Sequence, residues 1–75
     1  MSIYLTAIYK KVVHGYIGFI EELPGANSQG ATIEEVRSNL AEAAALIIEA
    51  NRALAQEEVV GQDVIREPIQ IEIAP

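Results

Sequence analysis

Glu21 to Val36, EELPGANSQGATIEEV, decides how the rest of the chain is read. Leu23-Pro24-Gly25 has the form of a tight turn. Proline pre-sets φ at the second turn position, and glycine supplies the positive φ that a type II turn requires at the third. Gly30 is a second breaker. Thr32 fits a helix N-cap, and Glu35 three residues later completes a capping box. Ile33 and Val36 open an apolar stripe of helical period. The stretch therefore closes a hairpin, carries a short extended segment over Ala26 to Gln29, and starts a helix.

Upstream, Ile3 to Lys11 reads as a strand. Ile3, Leu5, Ala7 and Tyr9 share one face, and Tyr4, Thr6, Ile8 and Lys10 share the other. Apolar residues on both faces predict a strand that is central or covered on both sides. Val12 to Gly15 reads as a hairpin connection, and Tyr16 to Glu21 as a second strand. Gly18 inside it marks a bulge or a close approach of backbone. Downstream, Ile33, Val36, Leu40, Ala43, Ile47, Ala50 and Leu54 recur at steps of three and four, which predicts a helix from Ile33 to about Gln56. Seven alanines between Ala41 and Ala55 add propensity and permit close packing. Such a helix is about 36 Å long, whereas a strand of six to eight residues covers about 20 to 27 Å. The helix must overhang its sheet, which leaves Ile48 and Leu54 in need of cover. Glu57 to Glu67 reads as a linker. From Pro68, Ile69, Ile71 and Ile73 alternate with polar residues and predict a final half-buried strand. The expected fold is α+β: a small β-β-β-α-β sheet with one long helix packed on one face, in a single domain over residues 1–75.

The segment GYIGFIEELPGANSQGATIEEV resembles the HicB-like antitoxin family, small proteins with a partial ribonuclease H-like fold. The resemblance rests on Gly15-Tyr16, Leu23-Pro24-Gly25, Gln29-Gly30, Thr32 and Glu35, and extends loosely over nearly the whole chain. Ala26 stands where the family often has cysteine, and Ala31 where it often has an acidic residue. The resemblance implies a module that neutralises a small basic ribonuclease toxin by masking its surface. The alternative is a stand-alone oligomeric protein without a toxin partner. Many members of the family carry a DNA-binding segment after the sheet domain. No such segment lies within this sequence, so DNA binding is not carried over.

Composition bears on both readings. In 75 residues with 51% hydrophobic side chains, a small interior cannot hide so much apolar surface, and a homodimer or higher homo-oligomer, or a partner that covers one face, is expected. Phe19, Ile48, Leu54, Ile69, Ile71 and Ile73 are the candidate oligomer contacts. Tyr4, Ile8, Ile17 and Phe19 are the residues that can leave one sheet face bare. A formal net charge of -6 disfavours nucleic acid, whose binding depends on Lys and Arg displacing counterions, and favours a basic partner or none. Exposed Glu21, Glu22, Pro24 and Gln29 around the turn are the candidate partner contacts.

The chain has no cysteine, which removes disulfides and thiolate chemistry and fits a reducing cytoplasm. Lys10-Lys11 follow the short apolar N-terminal run rather than precede it, so no secretory signal is expected, and no run is long enough to span a membrane. Enzyme readings lack a constellation. Two-metal phosphoryl chemistry needs converging carboxylates, and Ile3 to Lys11 contains none. Glu21-Glu22, Glu34-Glu35 and Glu57-Glu58 are adjacent pairs whose side chains diverge. His14 is the single histidine and reads as a solvated loop residue, with Lys10 and Lys11 forming at most a small basic tip. No catalytic, cofactor or metal site is expected.

Overall fold

A computed structural model describes residues 4–72. Three strands form an antiparallel sheet in the order β1 (Ala7–Val12), β2 (Gly15–Ile20), β3 (Asn27–Gly30), and one helix, α1 (Ile33–Glu58), packs on one face. The β1–β2 register places Ile8 opposite Phe19 and Tyr9 opposite Gly18. In the β2–β3 register Gly18 faces Ser28, and Ile17 faces Gln29. Since side chains alternate along a strand, Tyr9, Gly18 and Ser28 share one face of the sheet. Ile8, Lys10, Ile17, Phe19, Asn27 and Gln29 share the other.

The face carrying Gly18 is the one that α1 covers. A Cβ on Gly18 would lie 3.1 Å from Tyr9 Cδ1 and 3.2 Å from Val36 Cγ2. The missing side chain is therefore the space into which the helix settles. Two cations sit over tyrosines beside this seam: Lys11 Nζ is 5.4 Å from the Tyr16 ring centroid, and the Arg37 guanidinium carbon is 5.8 Å from that of Tyr9.

The turns follow from their residues. Neither Val13 nor His14 takes positive φ, and Gly15 at +138° makes the corner of the first hairpin. A Cβ there would overlap the Gly30 carbonyl oxygen, so only glycine fits. In the second connection the Ala26 N–H donates to Leu23 O at 3.1 Å and Gly25 has φ +92°, the geometry of a type II turn with Pro24 in second place. The helix begins at Thr32, whose Oγ1 accepts from the Glu35 N–H at 3.1 Å. Glu35 Oε2 accepts from the Ala31 N–H at 2.7 Å, one residue before the cap rather than at the cap itself. Glu34 and Glu35 in the first turn complement the positive end of the helix dipole. No basic residue complements the other end. There the Val59 N–H and the Gln62 side chain bond the last carbonyls.

The interior is small. Ala26, Val36 and Leu40 are the buried apolar residues, while Ile33, Ala43, Ala44 and Ile47 are half-buried. Ile47 Cδ1 lies 3.6 Å from where a Gly25 Cβ would be, so at that level the helix covers the connection between β2 and β3. From Ile48 to Glu58 every residue is exposed, including Leu54, which continues the stripe of Val36, Leu40 and Ile47. At 26 residues α1 is about 39 Å long, and its last three turns overhang. The radius of gyration is 15.8 Å, against about 11 Å for a compact chain of this length.

The expected final strand is absent among the described residues. The chain from Asp63 to Glu72 has no regular structure, so the sheet has three strands rather than four. Ile69 and Ile71 are 76% and 53% exposed, and Ile73 lies outside the described residues. Without that strand β1 is an edge rather than a central strand. It also starts at Ala7, with Tyr4 to Thr6 outside the strand, because β2 ends at Ile20 and the chain then turns away; Ile3 lies outside the described residues.

Leu40→Ala should destabilise the protein by about 2–5 kcal/mol, a large part of the roughly 4–11 kcal/mol that a chain of this length commands. Ile65→Ala, at a side chain 90% exposed, should change stability by less than about 0.5 kcal/mol. Urea denaturation followed by circular dichroism distinguishes the two. Equal effects would contradict the three-residue interior.

Candidate protein-binding surface

Among the described residues, no element covers the sheet face opposite α1. At its centre Ile8 and Phe19 are cross-strand partners, with Ile17 two residues along β2. Phe19 is 38% exposed, and Ile8 and Ile17 are half-buried by their neighbours. Asn27 and Gln29 on β3 flank them, and with Ile17 and Phe19 they line a shallow depression of about 510 Å³. Lys10 stands opposite Ile17 on the β1 side. The strands place no carboxylate on this face. Beyond Phe19 the ladder continues for one step, the Glu21 N–H donating to Thr6 O at 2.9 Å, which places Glu21 at the rim of the same face.

Of the four expected partner contacts, three lie at this end and one does not. Glu21, Glu22 and Pro24 are exposed around the second turn. Gln29 is level with Ile17, four residues of strand away from Glu21, or about 13 Å. The four do not form one cluster. Glu22 is also engaged within the chain. Its Oε1 accepts from the Thr6 N–H and its Oε2 from the Thr6 hydroxyl, each at 2.7 Å. The backbone donor, then the hydroxyl, hold the Glu22 carboxyl below the usual range. This clamp ties the segment before β1 to the β2–β3 turn, and sequence distance concealed it.

The expected oligomer contacts are spread over three surfaces. Phe19 is on the bare sheet face, Ile48 and Leu54 are on the overhanging half of α1, and Ile69 and Ile71 are on the C-terminal segment. Ile8 and Ile17 join Phe19 as expected for an uncovered face. Lys10 belongs with them too. The basic tip of Lys10, Lys11 and His14 is split instead, since Lys11 lies over Tyr16 on the helix side.

At the hairpin end a second cleft of about 770 Å³ is bordered by His14, Tyr16, Glu35 and Asn39. Glu35 is bonded to Ala31, and the Asn39 amide donates to Gln29 O at 3.2 Å. His14 is exposed. The described residues contain no group of three or more His, Cys, Asp or Glu disposed to hold a metal ion, and no helix long and apolar enough to cross a membrane. Comparison of the chain with protein-family models, curated proteins and solved structures finds no match.

The Glu22 clamp makes an acid-side prediction. A carboxyl whose pKa is depressed in the folded state stabilises above its ordinary value of 4.5 and loses that contribution as pH falls through the folded value. Glu22→Gln should therefore lower the melting temperature at pH 7 and converge with the parent at strongly acid pH. Amide exchange at Thr6 should quicken in the variant. An unchanged melting temperature and exchange rate at pH 7 would remove the clamp.

Proposed function

We propose that this chain is a protein-binding module of the HicB-like antitoxin kind, which neutralises a small basic ribonuclease toxin by masking its surface and performs no catalysis itself. The observation that carries the reading is apolar surface left bare around a three-residue interior in a chain of net charge -6. Bare apolar area on a small protein is a docking surface, and excess acid steers a basic partner toward it. Glu34, Glu42 and Glu49 face solvent on the side of α1 away from the sheet and supply acid there, as Glu21 and Glu22 do at the sheet rim. Nucleic acid is not a ligand in this reading, and the cytoplasm is its setting. The second reading, a stand-alone homo-oligomer without a toxin, is favoured by the overhanging Ile48 and Leu54, which another subunit can cover.

Expression of an adjacent small basic reading frame should arrest growth, and co-expression with this chain should restore it and yield a stable complex. The purified protein should leave RNA intact with Mg²⁺ or Mn²⁺ present. A neighbour that is neither toxic nor retained on co-purification turns the balance to the stand-alone reading. Cleavage that persists through repurification and disappears in a Glu21→Gln/Glu22→Gln variant would overturn the non-catalytic one.

A further inference from the structure

We propose that the bare face of the sheet is a two-fold interface between two copies of this chain, with Lys10 of each copy meeting Glu21 of the other. The inference deepens the self-association reading and is independent of any toxin. Two chains of net charge -6 repel, which favours contact where opposite charges can be paired across the interface. The strand residues of this face are Ile8, Lys10, Val12, Ile17, Phe19, Asn27 and Gln29, with the glycine at position 15. They include a cation and no carboxylate. With Glu21 at its rim the face carries a cation at one end and an anion at the other, and a second copy turned end for end matches both.

The register supplies the match. Lys10 is level with Ile17, and Glu21 lies two residues beyond Phe19. The Ile8–Phe19 pair is midway between them. A two-fold axis between two facing sheets, crossing the strands at that pair, reverses strand direction and keeps β1 over β1. It therefore brings Lys10 of each sheet to the level of Glu21 on the other. Phe19 and Ile8 stack on their own counterparts at the centre. Sheets packed face to face are about 10 Å apart, a gap that the two long side chains bridge from opposite sides. The apolar centre with charged ends is the anatomy of a protein interface. Pairing through any other level does not align both charges at once.

The face is small. Three strands about 4.8 Å apart and about 20 Å long give a footprint of roughly 300 Å², well under the roughly 800 Å² per partner of a standard interface. An interface of that size belongs to the weak, transient class, so the association is concentration-dependent.

Sedimentation equilibrium of the intact chain from about 1 to 500 µM should show a reversible passage from the 8.1 kDa monomer to twice that mass. Phe19→Glu should hold it monomeric with an unchanged circular dichroism spectrum, because Phe19 is outside the Ala26–Val36–Leu40 interior. Lys10→Glu should weaken association about tenfold by turning two attractive pairs into repulsive ones, more at low salt than at high. The charge exchange Lys10→Glu/Glu21→Lys should restore it, a result that a fold defect cannot produce. A monomer at the highest concentration overturns the inference together with self-association. A dimer indifferent to Phe19→Glu, or a charge exchange that fails to rescue Lys10→Glu, overturns this face and leaves self-association through α1 or the C-terminal segment. Loss of a toxin complex in Phe19→Glu without loss of the dimer assigns the face to the other partner and also overturns it.

Discussion

Val36 seated over Gly18 is the contact on which the rest of the structure depends. The glycine has no Cβ, Tyr9 borders the gap on the neighbouring strand, and the Val36 side chain enters it. A Cβ at position 18 would lie 3.1 to 3.3 Å from the Tyr9 ring and Val36 Cγ2, so both side chains would have to shift to admit it. Because this contact comes in the first turn of α1, just after the Thr32 cap, the sheet and the start of the helix are locked together by adjacent features of sequence. Leu40 extends the lock by one turn, and Ala26 closes it from the second connection. Nothing comparable follows, and this is why the interior is so small.

The elements legible in the sequence are those fixed by local chemistry. Pro24-Gly25 specifies its turn through two φ values, and Thr32 with Glu35 specifies where the helix starts. Neither needs information from elsewhere in the chain. The failures arise where a distant partner decides. Ile69, Ile71 and Ile73 alternate correctly for a strand, but alternation states which face would be buried and not which edge would pair. Tyr4 to Thr6 continue the alternation as well, yet β1 can be no longer than the strand beside it. Glu22 is adjacent to Glu21 in sequence but spends both oxygens on Thr6, sixteen residues away. Gln29 is near the turn by number and a strand length from Glu21 by register.

The bare sheet face is intermediate in this respect. Ile8, Ile17 and Phe19 were recognisable as apolar residues on strands with a second apolar face. The helix takes the face on which Gly18 leaves room for Val36. That choice in turn put Lys10 outside with the isoleucines and Lys11 inside over Tyr16. Two consecutive lysines acquire different roles because successive side chains point to opposite faces.

Charge and packing act together on the unsupported half of α1. Its last turns carry Glu57 and Glu58 at the end where the helix dipole is negative, with no cation to offset them. Its apolar stripe reaches Leu54 with nothing beneath it. An isolated helical segment of about eleven residues is marginal in water even with good propensity, so the alanines from Ala41 to Ala55 cannot hold it by themselves. Its order is borrowed from continuity with the docked turns up to Ile47. The chain has thus placed its firmest structure at the Thr32 end, where cap, dipole and Gly18 agree, and its least supported apolar surface at the far end. Cover for Leu54 adds stability where the helix is weakest, whereas contact at the bare sheet face adds it where the strands are already paired.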